Sequence, residues 1–226
     1  MEYNNIYIGE FIERPNRFIA KVRLNDEICV VHVKNTGRCK ELLVPGTKVY
    51  LEKSDNPNRK TKYDLVSVCK GDRIINIDSQ LPNDLVEEFL REEKLFADIS
   101  LIKREKVYGA SRFDFYIETK NRKIFMEVKG CTLEENGVVS FPDAPTQRGL
   151  KHINELMNAI CNGYEAYVMF VVQMKDVLYF TPAKNIHKEF ADTLKIASER
   201  GVKVLAYDCY VDSKSVKICN QVEVRL

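Results

Sequence analysis

The sequence predicts a mixed α/β (α+β) fold in two parts, because its hydrophobic pattern changes near residue 78. The first eighty residues read as short strand-like runs separated by turns. Beyond them, apolar stripes of helical period alternate with strand-like runs. A chain of 226 residues is long enough to bury a core in one large or two small domains. We place the boundary near Asp78, which gives domains of residues 1–78 and 79–226.

The first part has the strand pattern of a small β-barrel. Five runs of apolar and β-branched residues are predicted as strands, and a brief helical turn near residues 39–43 separates the third from the fourth. Five strands with a helix after the third is the arrangement of the OB fold, so we expect an OB-like barrel. The predicted strands are residues 7–12, 18–24, 28–33, 48–52 and 65–69.

The second part begins with a helix whose apolar stripe is formed by Leu85, Val86, Phe89 and Leu90. Residues 190–207, near the end of the chain, could be drawn as a DNA-binding helix-turn-helix. We reject this interpretation, because Gly201 stops the predicted helix and a β-rich run, VKVLAY, follows. Further predicted strands are residues 101–107, 113–117, 123–129, 164–172, 177–180 and 202–207, and further predicted helices are residues 146–162 and 185–200.

Composition excludes several classes of protein. The formal net charge is only +2, so a surface for a polyanion must be a local patch. Seven cysteines without a Cys-x-x-Cys pair indicate reduced thiols in a cytoplasmic protein. The N-terminus lacks the pattern of a signal peptide, and the most apolar stretch, residues 166–172, is too short to span a bilayer. We expect no membrane partner.

A predicted hairpin over residues 111–130 carries the most informative residues. If its turn centres on Lys120 and Asn121, Asp114 lies directly opposite Glu127. Opposed carboxylates repel unless a positive charge lies between them. Magnesium is usually held by one or two carboxylates together with phosphates of the substrate. The pattern therefore predicts a site for Mg²⁺, or Mn²⁺, at this pair.

The alternation of side chains extends this prediction. Period two places Phe113 and Phe115 on one face of the hairpin, the core face, and Asp114 on the charged face with Glu127. Lys129 shares the face of Glu127 and suits orienting an attacking water or stabilising phosphate charge. The alternative is an ordinary strand whose charged face is merely solvated.

Several stretches along nearly the full chain match one known protein family. They include the two halves of the hairpin and a proline-flanked segment that runs into the next helix. The matching stretches are Asn35-Thr36-Gly37, Arg112-Phe113-Asp114-Phe115, Glu127-Val128-Lys129, and Phe141-Pro142-Asp143-Ala144 followed by Thr146, Arg148-Gly149 and Lys151-His152.

With these stretches the chain resembles the sugar fermentation stimulation protein A family. The order of its second part, a helix, three strands, a helix and a buried strand, also resembles the core of PD-(D/E)xK nucleases. The resemblance implies an OB-like nucleic-acid-binding domain followed by a nuclease-like domain. It also implies DNA binding and a link to the regulation of sugar metabolism.

The resemblance suggests further site residues. Glu88 on the first helix is implied as a metal ligand through water. Asp143 is either a metal ligand or the residue that caps the following helix. Arg148, Lys151 and His152 lie on the polar face of that helix and are candidates for phosphate binding, with a solvated helix face as the alternative.

The barrel offers cations beside aromatic residues, a mixture that OB surfaces use to follow phosphates and stack bases. Basic loops are also ordinary solubilising features. Gly37 would permit a close approach to the backbone. The predicted nucleic-acid-binding residues of the barrel are Arg14, Arg17, Asn35, Thr36, Gly37 and Arg38, with Phe18 beside them.

Together these observations predict a nucleic-acid-binding protein with a metal-dependent phosphodiesterase site. Asp114 and Glu127 would hold the ion and Lys129 would orient water. DNA is the first expected partner and RNA the alternative. The competing hypothesis is a non-catalytic DNA-binding regulator of sugar metabolism that keeps the same carboxylates for a structural purpose.

Overall fold

A computed structural model describes all residues of the chain, 1–226. Its first six strands form one sheet, and the five predicted strands of the barrel are all present. A sixth, β6, follows β5 through a tight turn at Gly71, whose φ is 59°. The strands are β1 (Ile6–Asn16), β2 (Ile19–Leu24), β3 (Glu27–Val33), β4 (Lys48–Lys53), β5 (Tyr63–Lys70) and β6 (Arg73–Asn76).

The first five strands close into a barrel. The sheet order is β3-β2-β1-β4-β5-β6, and β3 also pairs in parallel with β5 through His32 opposite Asp64 and Val33 opposite Leu65. Between β3 and β4 the chain makes a single turn, in which the amide of Leu43 donates to the carbonyl of Cys39. The closed five-stranded barrel confirms the OB-like prediction.

The second part is a mixed α/β domain. Its predicted helices and strands are present, whereas the strands β10, β11 and β15 were not predicted. The elements are α1 (Leu81–Arg91), β7 (Ile99–Tyr108), β8 (Ser111–Thr119), β9 (Lys123–Cys131), β10 (Leu133–Glu135), β11 (Val138–Phe141), α2 (Gln147–Cys161), β12 (Glu165–Val172), β13 (Tyr179–Pro182), α3 (Lys188–Glu199), β14 (Lys203–Val211) and β15 (Val216–Val222).

A six-stranded sheet of order β15-β14-β12-β9-β8-β7 is the centre of this domain. Its middle strand β12 pairs in parallel with both β9 and β14. Residues of α1 pack in one apolar cluster and residues of α2 and α3 in another. Because both faces are covered, β12 is apolar along almost its whole length. The sheet therefore holds β8 and β9 rigidly between the helices.

The end of α3 agrees with the rejection of a helix-turn-helix. The helix stops at Glu199, Gly201 adopts a φ of 98°, and β14 begins at Lys203. A left-handed glycine after a helix is a common C-terminal stop. No helix combines the length and apolar character that crossing a membrane requires.

Buried hydrogen bonds join the barrel to the second domain. The side chain of Gln173 donates to Oδ1 of Asn76 over 2.8 Å and to the carbonyl of Asp78 over 2.9 Å. The amide of Asn76 in turn donates to the carbonyl of Gln173 over 2.9 Å. Asn76 and Gln173 are almost fully buried. Buried polar groups with complete partners specify one arrangement of the two parts.

Candidate active site

The predicted register of the hairpin is found in the structure. Phe115 pairs with Met126 and Tyr116 with Phe125. The ladder of β8 and β9 ends there, and Oδ2 of Asp114 accepts a hydrogen bond from the amide of Val128 over 2.8 Å. The carboxylate of Asp114 thus lies against the backbone between Glu127 and Lys129. A carboxylate side chain replaces a main-chain acceptor at this point of the sheet.

The predicted alternation of side chains is wrong at one position. Phe113 packs against Phe125 in one apolar cluster, whereas Phe115 lies in the cluster on the other side of the sheet. Glu105 lies across from Asp114 on β7 and has a φ of 53°. A non-glycine residue in this conformation interrupts the regular pleat. Both faces of the hairpin are therefore covered by protein, and the charged face is not a solvated one.

Glu127 is the centre of the site. Its side chain is only 3% exposed. Oε1 accepts hydrogen bonds from Nζ of Lys129 and from Nδ1 of His152. Oε2 is buried and has no hydrogen-bond partner. A buried carboxylate oxygen without a partner is costly, which points to a ligand that completes it.

His152 differs from its predicted role. Its side chain is 6% exposed and contacts Glu127 on the inside of α2. A buried ring that is hydrogen-bonded to a carboxylate is not exposed to a phosphate on the surface, and His152 instead holds the carboxylate of Glu127 in place. The phosphate-binding hypothesis fits the exposed Arg148 better, because its side chain makes no ion pair. Lys151 is also exposed, and its Nζ donates to the carbonyl of Ala110 over 2.5 Å.

Asp114 has a second partner that sequence reasoning missed. Nδ2 of Asn83, in the first turn of α1, donates to Oδ1 of Asp114 over 3.0 Å. The resemblance had pointed to Glu88 on the same helix. The structure does not bring Glu88 to this group, because its carboxylate contacts the amino group of Met1 at 3.0 Å beside β15. In the sequence, the one signal for Asn83 is its position in the first turn of the predicted helix.

The two carboxylates have pKa values shifted in opposite directions. Burial raises the pKa of Asp114, and the negative charge of Glu127 raises it further, against the bonds from Val128 and Asn83. Burial also raises the pKa of Glu127, but the hydrogen bond from His152 and the charge of Lys129 outweigh it and lower that pKa. Glu127 is therefore the firmly ionised member of the pair.

A divalent cation fits this donor set. Glu127 supplies a free buried oxygen, and Asp114 supplies a second carboxylate whose charge a cation would compensate. No group of three or more histidine, cysteine, aspartate or glutamate side chains converges to form a metal cage. Two carboxylates with water and phosphate oxygens completing the shell is how magnesium is commonly bound. Soft metals would instead need thiolate or imidazole ligands.

Asp143 lies in a cleft between the two domains. The helix α2 is capped by Thr146, whose side chain accepts from the amide of Gly149 over 3.0 Å, so Asp143 is not the cap. Oδ2 of Asp143 approaches Gly37 so closely that a Cβ there would lie 2.7 Å from it. Gly37 thus permits the predicted close approach, and the group it admits is a side chain of the second domain.

Arg14 has a structural role in the barrel, which corrects its prediction as a phosphate ligand. Its guanidinium donates four hydrogen bonds to backbone carbonyls, at distances of 2.5 to 2.9 Å. The four N–H groups of its terminal nitrogens are used, and the fifth, on Nε, is buried without a partner, so the guanidinium has little left for a phosphate on the surface. The four acceptors are the carbonyls of Arg17, Asn35, Gly37 and Arg38.

Arg17 and Arg38 remain free on the same surface. Both are exposed and neither forms an ion pair. The guanidinium of Arg17 lies 4.8 Å from the ring centre of Phe18, which is 49% exposed. Asn35 holds the loop, since its side chain accepts from the amide of Gly37 over 2.6 Å and donates to the carbonyl of Ile77 over 2.9 Å. Thr36 is exposed between them.

Barrel and α/β domain define a two-domain class of protein, with a buried cluster of acidic and basic side chains in the second domain. Comparison with known proteins gives the family. A profile of the SfsA N-terminal OB domain matches residues 12–77, and a profile of the sugar fermentation stimulation protein RE domain matches residues 80–215. The chain belongs to the sugar fermentation stimulation protein family.

Individual relatives agree with this assignment over their full lengths. Sugar fermentation stimulation protein homologs of Ruminiclostridium cellulolyticum and Clostridium beijerinckii are 59% and 58% identical, and each match covers 100% of both chains. A solved structure, SfsA of Pyrococcus furiosus in complex with Ca²⁺, is 31% identical with a TM-score of 0.92. That match covers 100% of this chain and 98% of the other.

Proposed function

We propose that this protein binds nucleic acid and hydrolyses its phosphodiester bonds with the help of a divalent cation, with DNA as the first substrate to test. The observation that carries the proposal is the free, buried Oε2 of Glu127 beside Asp114 and Lys129. Two carboxylates that can hold a metal ion, with an ammonium group beside them, are groups that metal-assisted phosphodiester hydrolysis uses.

Each side chain has a distinct role. Asp114 and Glu127 would hold the cation, Mg²⁺ or Mn²⁺, which would neutralise charge on the phosphate and lower the pKa of water. Lys129 orients the attacking water and stabilises the charge that develops on the phosphate oxygens. The water oxygen forms a bond to phosphorus, the bond from phosphorus to the leaving oxygen breaks, and a proton from water ends on that oxygen. His152 and Asn83 hold the two carboxylates in place.

One relative supports the choice of cofactor. The Pyrococcus furiosus protein is described in complex with Ca²⁺. Calcium and magnesium are both hard cations that take oxygen ligands. A carboxylate pair in this chain would accept either ion, although only the smaller Mg²⁺ or Mn²⁺ is expected to support cleavage.

Cleavage assays with matched controls test this proposal. Purified protein is incubated with labelled single- and double-stranded DNA and RNA in Mg²⁺, Mn²⁺ or EDTA. We expect metal-dependent products from the wild type and none from Asp114→Asn or Lys129→Ala. The controls Asp98→Asn and Lys94→Ala make the same chemical changes at exposed residues without ion pairs, and they should cleave normally.

The competing function is a DNA-binding regulator without catalysis. It is favoured by one observation, since both oxygens of Asp114 and Oε1 of Glu127 are already satisfied within the protein. Such a cluster can also serve the fold alone. Binding of DNA with no cleavage in any metal would support this regulator and overturn the catalytic proposal.

A further inference from the structure

We infer that the substrate is a single strand of nucleic acid that runs from a groove on the barrel, over Thr36 and Gly37, into the cleft between the domains. The inference rests on the proposed function and names its substrate class. Two neighbouring concavities define this path, and they meet at the same two residues. The barrel therefore delivers a strand to the edge of the site.

The first concavity, which we call the barrel groove, has a volume of about 440 Å³ and includes Arg17, Arg38 and Lys40. None of these three cations forms an ion pair. The single carboxylate in the groove, Glu13, is already paired with Lys21 at 2.6 Å. The groove thus presents uncompensated positive charge, which suits the phosphates of a strand.

The second concavity, the domain cleft, continues from Thr36 and Gly37 toward the site. Its volume is about 220 Å³, and it reaches Gly130 and Cys131, the two residues that follow Lys129 on β9. It leads from the barrel groove past the exposed Asp143 to the end of β9, the strand that carries Glu127 and Lys129, and it stops one residue short of Lys129.

The recessed position of the reacting groups favours a single strand over an intact duplex. Glu127 is 3% exposed, and Asp114 lies between α1 and β9. DNA is stiff, with a persistence length of about 50 nm, and its stacked bases keep the backbone on a wide cylinder. Bringing one phosphate of a duplex to a recessed carboxylate would require local unpairing, which costs a few kcal/mol. A single strand reaches the same place without that cost.

An exposed ring beside the barrel groove adds a stacking position. Phe18 is 49% exposed and is flanked by the guanidinium of Arg17. Stacking on aromatic side chains accepts every base, because each base has a π face. The surface therefore fits a strand of any sequence, either DNA or RNA.

Equilibrium binding tests the strand preference directly. Fluorescence anisotropy is measured in EDTA with oligonucleotides of equal length: single-stranded DNA, single-stranded RNA, blunt duplex DNA and duplex RNA. We expect the wild type to bind single strands at least about tenfold more tightly than the matching duplex. Equal or tighter binding of the duplex would overturn the inference while leaving the proposed function standing. Absence of binding to all four would instead overturn the proposed function. The DNA and RNA arms identify the natural strand.

A blocked path tests the route. Thr36→Trp places a large side chain where the barrel groove and the domain cleft meet, and Asn58→Trp adds the same bulk at an exposed barrel loop. We expect Thr36→Trp to weaken single-strand binding about tenfold, which is a loss similar to that of one stacked base. The control should leave the affinity unchanged. Thermal melting establishes that both variants are folded. A folded Thr36→Trp variant with unchanged single-strand affinity contradicts the route.

Discussion

Nδ1 of His152 on α2 donates to Oε1 of Glu127 on β9, and both side chains are almost completely buried. The helix thereby fixes the orientation of a carboxylate on the central sheet. Lys129 approaches the same oxygen from the strand itself. The opposite oxygen, Oε2, is left available for a ligand. One oxygen of Glu127 is therefore fully hydrogen-bonded within the protein, and the other can bind a ligand.

Replacing His152 should affect chemistry more than substrate binding. His152→Ala removes one buried donor to Glu127 and leaves Lys129 as the remaining one, and a hydrogen bond to a charged group contributes about 1.5–3 kcal/mol. We expect a loss of stability of that size and a fall in kcat with little change in KM. His152→Gln keeps a donor and should recover part of the rate. Asn158→Ala, at an exposed position of the same helix, is the control. A change in KM alone would contradict the positioning role.

Divalent cations should stabilise the folded protein. A ligand that binds only the native state at one hundred times its Kd adds about 2.7 kcal/mol. Thermal melting with and without Mg²⁺ or Ca²⁺ should therefore give a higher Tm for the wild type in metal. Asp114→Asn should abolish this shift, and Asn83→Ala should reduce it because Asp114 loses a hydrogen bond. Asp98→Asn serves as the control, and an equal shift in Asp114→Asn would exclude Asp114 as a ligand.

Arginines of the barrel should separate into two classes. Arg14→Ala leaves four carbonyls without their charged donor, and even one such bond contributes about 1.5–3 kcal/mol, so we expect clear destabilisation. Arg17→Ala and Arg38→Ala should leave Tm unchanged. Each should instead lower the slope of log affinity against log salt by about one unit.

The exposed lysines Lys53, Lys60 and Lys62 provide the matched control for these arginines, since they carry charge on the same barrel without ion pairs. Their replacement by alanine should leave the salt slope almost unchanged. If the lysine variants lower the slope and the arginine variants do not, the binding surface lies on the loop between β4 and β5.

The contact between the domains should make stability depend on pH. Glu134 on β10 is buried and accepts from Lys70 over 2.6 Å, with Arg73 at 3.1 Å. Burial raises the pKa of Glu134, but the bond from Lys70 and the charges of both cations outweigh it, so the folded value lies below the ordinary one. A lowered folded pKa gives stability that is present above the unfolded pKa and is lost as pH falls through the folded one.

Glu134→Gln should therefore lower Tm near neutral pH and flatten the decline in acid. The decline is measured by melting at a series of pH values below about 4.5, the ordinary pKa of the group. Glu135→Gln is the control, because Glu135 is next to Glu134 in the sequence but is exposed and forms no ion pair. An unchanged acid limb in Glu134→Gln would contradict this linkage.

Local patterns in the sequence predicted much of the fold and the pairing of the two strands that carry Asp114 and Glu127. The polar turn at Lys120 and Asn121 fixed the register that brings Asp114 toward Glu127, because pairing in a hairpin follows from its turn. Helical periodicity correctly identified the buried stripe of α1. It did not identify Asn83 as the partner of Asp114, since that contact depends on which strand the helix crosses.

Long-range contacts account for the remaining differences. The side of the sheet on which Phe113 lies depends on the unusual backbone of Glu105 across the strand pair, which no local pattern encodes. The structural role of Arg14 depends on three carbonyls that are distant in sequence, those of Asn35, Gly37 and Arg38. In β15 the polar pair Asn220-Gln221 interrupts the alternation before the buried Val222, so its sequence carries little strand signal.

The buried hydrogen bonds between Asn76 and Gln173 fix the distance between the barrel and the second domain. A joint without free rotation keeps the distance from the barrel to Lys129 constant. For a strand anchored by its end on the barrel, a constant distance corresponds to a constant number of nucleotides. We therefore expect fragments of uniform length from such a strand, and a broader distribution when Gln173→Ala loosens the joint.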